Sequence, residues 1–200
     1  DWPGVPDCGS TNYSCHMKTD NETGNSADDV PATVDQVLAY WQDAMRTGLR
    51  LCSPSSHDGS LSWLEQFMNE IDARGWRCDI LDMHCYWVES SFSSLQNYYN
   101  RYHRPIWISE WIWGASWNSN GAFASGVTTN TINSTTQRIW ESLNGWNYVE
   151  RYAYWNGESK GHVYENGLTT LGTAYANNNS GIAYHKSYEL VQVVVVKNPY

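Results

Sequence analysis

Arg104-Pro105-Ile106-Trp107-Ile108-Ser109-Glu110-Trp111 is the run on which the fold turns. A proline suits the first residue of a strand, because its missing N–H is not needed there. Ile106, Trp107 and Ile108 follow as a short apolar run of the kind a buried parallel strand shows. One carboxylate, Glu110, sits where the run ends, flanked by Trp111 and Trp113. In an α/β chain, an acid at the carboxyl end of a buried strand reads as an active-site group.

The elements around it alternate. Before it, Thr33 and Gln36 form a capping box, with Val34, Val37, Leu38, Trp41 and Met45 on one helical face and Gly48 as the stop. Leu49–Cys52 then reads as a short strand. Ser62 and Glu65 make a second box, ahead of Leu61, Leu64, Phe67, Met68 and Ile71, with Gly75 closing that helix. A strand through 78–87 and a helix carrying Phe92, Leu95, Tyr98, Tyr99 and Tyr102 lead into the Glu110 strand. After it come a polar loop (114–131), a helix with Ile139, Trp140 and Leu143, and a strand from Val149 to Asn156.

Strand–helix alternation predicts a parallel sheet. Function-bearing residues at successive strand ends favour a (β/α)₈ TIM-type barrel over a doubly wound sheet. Four good strands and a fifth near residues 16–22 fall short of eight, so the expected fold is an α/β barrel without its first strands in this chain. Residues 1–187 form that partial barrel, and 188–200 a β-prone tail or the start of a further domain.

Composition narrows the function. Charged residues are 16% and the net charge is −9. That argues against nucleic acid or an anionic membrane surface, either of which wants a basic patch. No apolar run approaches the ~20 residues of a membrane span. Twelve Trp and 14 Tyr against 3 Phe are flat apolar faces with polar handles, suited to stacking on sugar rings. The five cysteines show no zinc spacing. Cys8 and Cys15 could close a small loop, whereas Cys52, Cys78 and Cys85 read as small buried thiols. Asn12, Asn133 and Asn178 begin glycosylation sequons. Export to the outside, the cell surface or the periplasm is the expected route, and neither cofactor nor metal is expected.

Cleaving a glycosidic bond needs two carboxyl groups. Glu110 is one, and Glu22, preceded by Asn21, is the best second. An Asn beside the acid can donate to a sugar hydroxyl while the acid protonates the leaving oxygen. His84 and Tyr86 alternate on a strand, so both face the same way, toward substrate or Glu110. Trp87, Trp111, Trp113, Trp117 and Trp155 are candidate sugar platforms, and Asn156 ends the last strand beside them. Asp79 and Asp82 read as bridging residues rather than catalytic ones.

The Arg104–Trp111 run resembles the nucleophile strand of glycoside hydrolase family 128, retaining clan A barrels whose known members act on β-1,3-glucans. Thr47-Gly48-Leu49-Arg50-Leu51-Cys52-Ser53-Pro54, Met83-His84-Cys85-Tyr86-Trp87 and Val149-Glu150-Arg151-Tyr152-Ala153 agree in order. The resemblance covers roughly residues 21–187. It implies Glu110 as nucleophile, Glu22 as acid/base and Asn21 on the sugar 2-hydroxyl. Thr23 stands where the family's Asn-Glu-Pro motif has proline. The expected function is a retaining endo-glycosidase on a β-glucan, with a polysaccharide or oligosaccharide as partner. The alternatives are a non-catalytic glycan-binding module on a degenerate barrel, and a half-barrel completed by a second chain or domain.

Overall fold

The computed structural model describes residues 16–27, 31–57 and 61–182. Cys8, Cys15, Asn12 and the 188–200 tail lie outside the described residues. The chain is mixed α/β and divides into two compact units, 1–82 with 185–200, and 83–184.

In the first unit, β1 (His16–Met17) pairs in parallel with β2 (Arg50–Leu51), His16 opposite Arg50. Between them runs α1 (Val34–Arg46). Its start is the capping box read from the sequence. Thr33 Oγ1 accepts from the Gln36 amide at 3.3 Å, and Gln36 Oε1 accepts from the Thr33 amide at 2.8 Å. Thr47 caps the other end, and Gly48 takes φ +71°, a left-handed conformation that glycine adopts without a Cβ clash.

Helix α2 (Leu61–Ala73) packs on α1. Buried Val34, Val37, Leu38 and Trp41 meet buried Leu64, Phe67, Met68 and Ile71. The Trp41 and Phe67 rings stand edge to face at 4.9 Å, a favoured aromatic geometry. The expected second capping box is corrected here, because Ser62 lies inside α2. Two bridging acids fall where expected. Asp79 Oδ2 accepts from the Leu51 amide at 2.8 Å and from Arg77 at 2.5 Å. Asp82, wholly buried, pairs with Lys18 at 3.3 Å, which offsets much of the cost of burying its charge.

Strand β3 (Leu81–Cys85), within which the boundary between the units falls, is buried at all five residues. Next come a 3-10 turn (Glu89–Ser94) and α3 (Leu95–Tyr102), where the sequence suggested one continuous helix. They lead to β4 (Ile106–Trp111), α4 (Thr129–Gly145), β5 (Val149–Tyr154) and α5 (Thr170–Ala176), the last unread in the sequence. The strand order is β3-β4-β5, and β4 and β5 run parallel. Parallel strands with intervening helices are therefore observed. The described residues hold five strands and no closed barrel.

The β4–β5 register carries a feature no pattern predicted. From Ile108 to Trp111 β4 advances three residues, while β5 advances two from Tyr152 to Tyr154. The extra residue falls at Ser109–Glu110. Such bulges turn a side chain off regular strand alternation and occur often beside active sites.

Cys52, Cys78 and Cys85 are buried. Burial, and then the nearby Asp82 charge, push the Cys52 thiol far above its ordinary pKa, so it is inert at neutral pH.

Candidate active site

In the second unit the bulge places Glu110, half-buried, at the carboxyl end of β4. Tyr86 donates its hydroxyl proton to Glu110 Oε2 at 2.6 Å. His84 Nδ1 stands 3.4 Å from the same oxygen, and His84 is wholly buried. The alternation of residues 84 and 86 thus delivers both side chains to one carboxylate oxygen.

The loop after β4 is closed on itself. Gly114 donates to the Trp87 carbonyl at 2.8 Å, Ala122 to the Trp113 carbonyl at 3.0 Å, and Ala115 to Asn120 Oδ1 at 2.8 Å. Gly114 and Gly121 approach so closely that a Cβ on Gly114 would lie 2.4 Å from the Asn120 carbonyl oxygen. Trp117 projects from this loop, 60% exposed, with its ring 4.9 Å from the Tyr86 ring. Trp117 therefore leans on the residue that holds Glu110.

The other tryptophans sort by packing. Trp111 is corrected from platform to core. It is wholly buried against Phe92, Tyr152 and Tyr154 at 5.8, 6.1 and 5.0 Å, which leaves no face for a sugar. Trp87 is buried too, edge to face with Phe92 at 5.7 Å. Trp113 is half-buried. Trp155 is 39% exposed, and its amide donates to the Trp111 carbonyl at 2.9 Å, beside the end of β4. Asn156, read as a substrate contact, also braces the chain after β5. Its Oδ1 accepts from the Val163 and Tyr164 amides, and its Nδ2 donates to the Tyr164 carbonyl at 2.8 Å. Sequence gives no sign of this, since the partners lie seven and eight residues on.

In the first unit Glu22 occupies a tight turn at φ +44°, unusual for a residue with a Cβ. Asn25 closes the turn twice. Its amide donates to the Glu22 carbonyl at 2.9 Å, and its Nδ2 to Glu22 Oε2 at 2.6 Å. Strain at a polar turn is held only where neighbours over-determine it, and it concentrates at functional sites. Asn21 is exposed beside it and Thr23 is buried. Asn25 is a partner the sequence reading missed, although an Asn three residues after an acid suits such a turn.

A family model described as glycosyl hydrolase catalytic core matches residues 12–175. The chain belongs to that family. Solved structures of glycoside hydrolase family 128 bear out the resemblance. A subgroup I endo-β-1,3-glucanase from Amycolatopsis mediterranei, crystallised with laminaritriose and laminaribiose, is 26% identical at TM-score 0.69, over 80% of this chain and 71% of that one. A subgroup VII oligosaccharide-binding protein from Trichoderma gamsii is 23% identical at TM-score 0.65, over 85% and 70%, which shows a shared fold. A subgroup II endo-β-1,3-glucanase from Sorangium cellulosum, 18% identical at TM-score 0.62 over 80% and 68%, shows the same fold. No curated protein sequence matches this chain.

Proposed function

We propose that this glycosyl hydrolase cleaves internal β-1,3 bonds of a glucan with retention of configuration. The observation that carries the reading is Glu110, turned by a strand bulge and held at Oε2 by Tyr86 with His84 alongside. The family-128 relative at 26% identity, an endo-β-1,3-glucanase, supports the linkage.

In this reading Glu110 Oε1 attacks the anomeric carbon while Glu22 gives its proton to the departing glycosidic oxygen. A glycosyl-enzyme ester forms. Water then attacks the same carbon, Glu22 takes the proton of that water, and the bond to Glu110 breaks. Tyr86 stabilises the carboxylate as it leaves, through a bond to an ionised acceptor. Asn21 is assigned to the sugar 2-hydroxyl, and Trp113, Trp117 and Trp155 to the sugar faces. Retention requires the two carboxyls ~5–5.5 Å apart when substrate is bound.

The frame we assign to this chemistry is a (β/α)₈ barrel, whose eight strands exceed the five described here. A further part of the protein or a second chain would supply the remainder, and sedimentation of the purified chain would show a partner copy as a dimer. Because the polymer lies outside the cell, secretion or surface display fits the reading. Among the described residues no helix is long and apolar enough to cross a membrane.

Incubation with β-1,3-, β-1,4- and mixed-linkage glucans, with products sized and their first anomer read by proton NMR, tests the proposal. Short β-1,3 oligosaccharides with β configuration at the new reducing end are expected, and Glu110→Gln should abolish them. An initial α-anomer would mean inversion. Binding without any turnover would make the chain a glycan-binding module.

A further inference from the structure

Among the described residues five large apolar side chains are exposed, and three of them, Trp155, Tyr164 and Leu168, fall in one 14-residue stretch after β5. Scattered exposed hydrophobics are ordinary, whereas a cluster marks a binding surface. The stretch is built to hold them. Tyr164 and Leu168 form an antiparallel bridge, so they are directly opposed across a small hairpin and are 57% and 58% exposed. Directly opposed residues point to the same face.

Three braces fix the hairpin. Asn156 binds the backbone at 163 and 164 through both ends of its amide. Thr169 donates its hydroxyl to the His162 carbonyl at 2.6 Å. The His162 ring lies between the Glu165 carboxylate, 2.8 Å from Nδ1, and the Glu158 carbonyl on the other nitrogen. At the base, the Trp155 ring lies against Gly157, where a Cβ would stand 2.4 Å from the indole. The indole is thus backed by glycine, and more than a third of Trp155 remains exposed.

Charge on the hairpin is largely consumed locally. Lys160 donates to the Ala122 carbonyl at 3.2 Å, and His162 pairs with Glu165. Tyr164 and Leu168 face outward together, with the Tyr164 hydroxyl as a polar edge, beside exposed Glu165 and Asn166 at the hairpin tip. That combination suits a neutral sugar chain. The surface also continues from the catalytic strand end, since the Trp155 amide bonds the Trp111 carbonyl next to Glu110.

We propose that the hairpin spanning residues 155–169 is a distal glycan subsite, which holds a neutral β-glucan chain where it runs on past Glu110. This rests on the glucanase reading and deepens it: the enzyme takes long chains in preference to short ones.

The test uses Glu110→Gln as a binding-competent, non-hydrolysing parent, with calorimetric titration of laminaritriose and laminarihexaose. Adding Tyr164→Ala and Leu168→Ala should weaken the hexaose ~3- to 10-fold, the scale of one or two lost ring contacts, and leave the triose unchanged. Tyr164→Phe, which keeps the ring, should retain hexaose affinity. An unchanged melting temperature would confirm that folding is intact. Equal hexaose affinity in parent and double variant, or equal loss on both sugars, overturns the subsite alone. A parent that binds neither sugar overturns the glucanase reading together with it.

Discussion

At the scale of single residues, two side chains gather on one carboxylate oxygen. Tyr86 donates to Glu110 Oε2 at 2.6 Å, and the bond is charge-assisted, so it is among the stronger kinds. Removing a donor from an ionised group costs about 1.5–3 kcal/mol. Under the proposed mechanism Tyr86→Phe should therefore lower kcat by about 10- to 100-fold while KM moves little, since the phenol would act on the nucleophile rather than on bound sugar. Steady-state kinetics on soluble β-1,3-glucan would show it, and a rise in KM with kcat intact would place Tyr86 in substrate binding instead. The His84–Tyr86 pair was readable from sequence because strand alternation is local and strict. The fates of Trp111 and Trp117 were not. Both are tryptophans in or just after the same strand, and only tertiary packing decides that one is enclosed by Phe92, Tyr152 and Tyr154 while the other projects into solvent.

At the scale of elements, local chemistry was legible and remote chemistry was not. The Thr33–Gln36 box could be read because both of its bonds close within four residues. Ser62 and Glu65 carry the same spacing, yet Ser62 lies inside α2, so spacing alone does not fix a helix start. The sequence strand through 78–87 shortens to Leu81–Cys85, and Ile80 before it makes only an isolated parallel bridge to Cys52. The bulge at Ser109–Glu110 depends on the advance of β5, which no single-strand pattern contains. The Glu22 turn offers a direct test. Gly24 has φ +82°, and a Cβ there would stand 2.7 Å from Trp63 Cδ1. Trp63 has little room to yield, stacked on Phe67 at 5.5 Å with its Nε1 donating to the Ala32 carbonyl at 2.9 Å. Gly24→Ala should thus cost about 1–3 kcal/mol, lowering the melting temperature by roughly 3–10 °C for a chain of this size. Gly75→Ala is the matched control, with φ +63° and open space around its Cβ, and it should cost less. Equal shifts would show that the Trp63 contact is soft. Displacement of Glu22 by Gly24→Ala should also lower turnover.

At the scale of the whole molecule, composition and site agree on a neutral ligand. The chain carries −9 overall with only 12 Lys and Arg, and several of those cations are engaged internally. Lys18 pairs with Asp82, Arg77 with Asp79, Arg138 with Glu89, and the Arg151 guanidinium lies over Trp107 at 4.7 Å. An acidic polysaccharide would meet net repulsion and few available cations, whereas a neutral glucan feels neither attraction nor repulsion at long range. The proposed stacking on Trp117 and Trp155 would draw on apolar contact, which moderate salt leaves almost untouched, while charge pairing between exposed groups is screened within a Debye length of about 10 Å at 0.1 M. Raising sodium chloride from about 0.02 to 0.5 M should therefore change kcat/KM on β-1,3-glucan less than about twofold. A control on carboxymethylated β-1,3-glucan should show the opposite trend, poor at low salt and improving as its repulsion from the enzyme is screened. A steep fall in activity on the neutral polymer would show that an ionic contact, rather than aromatic stacking, secures the substrate.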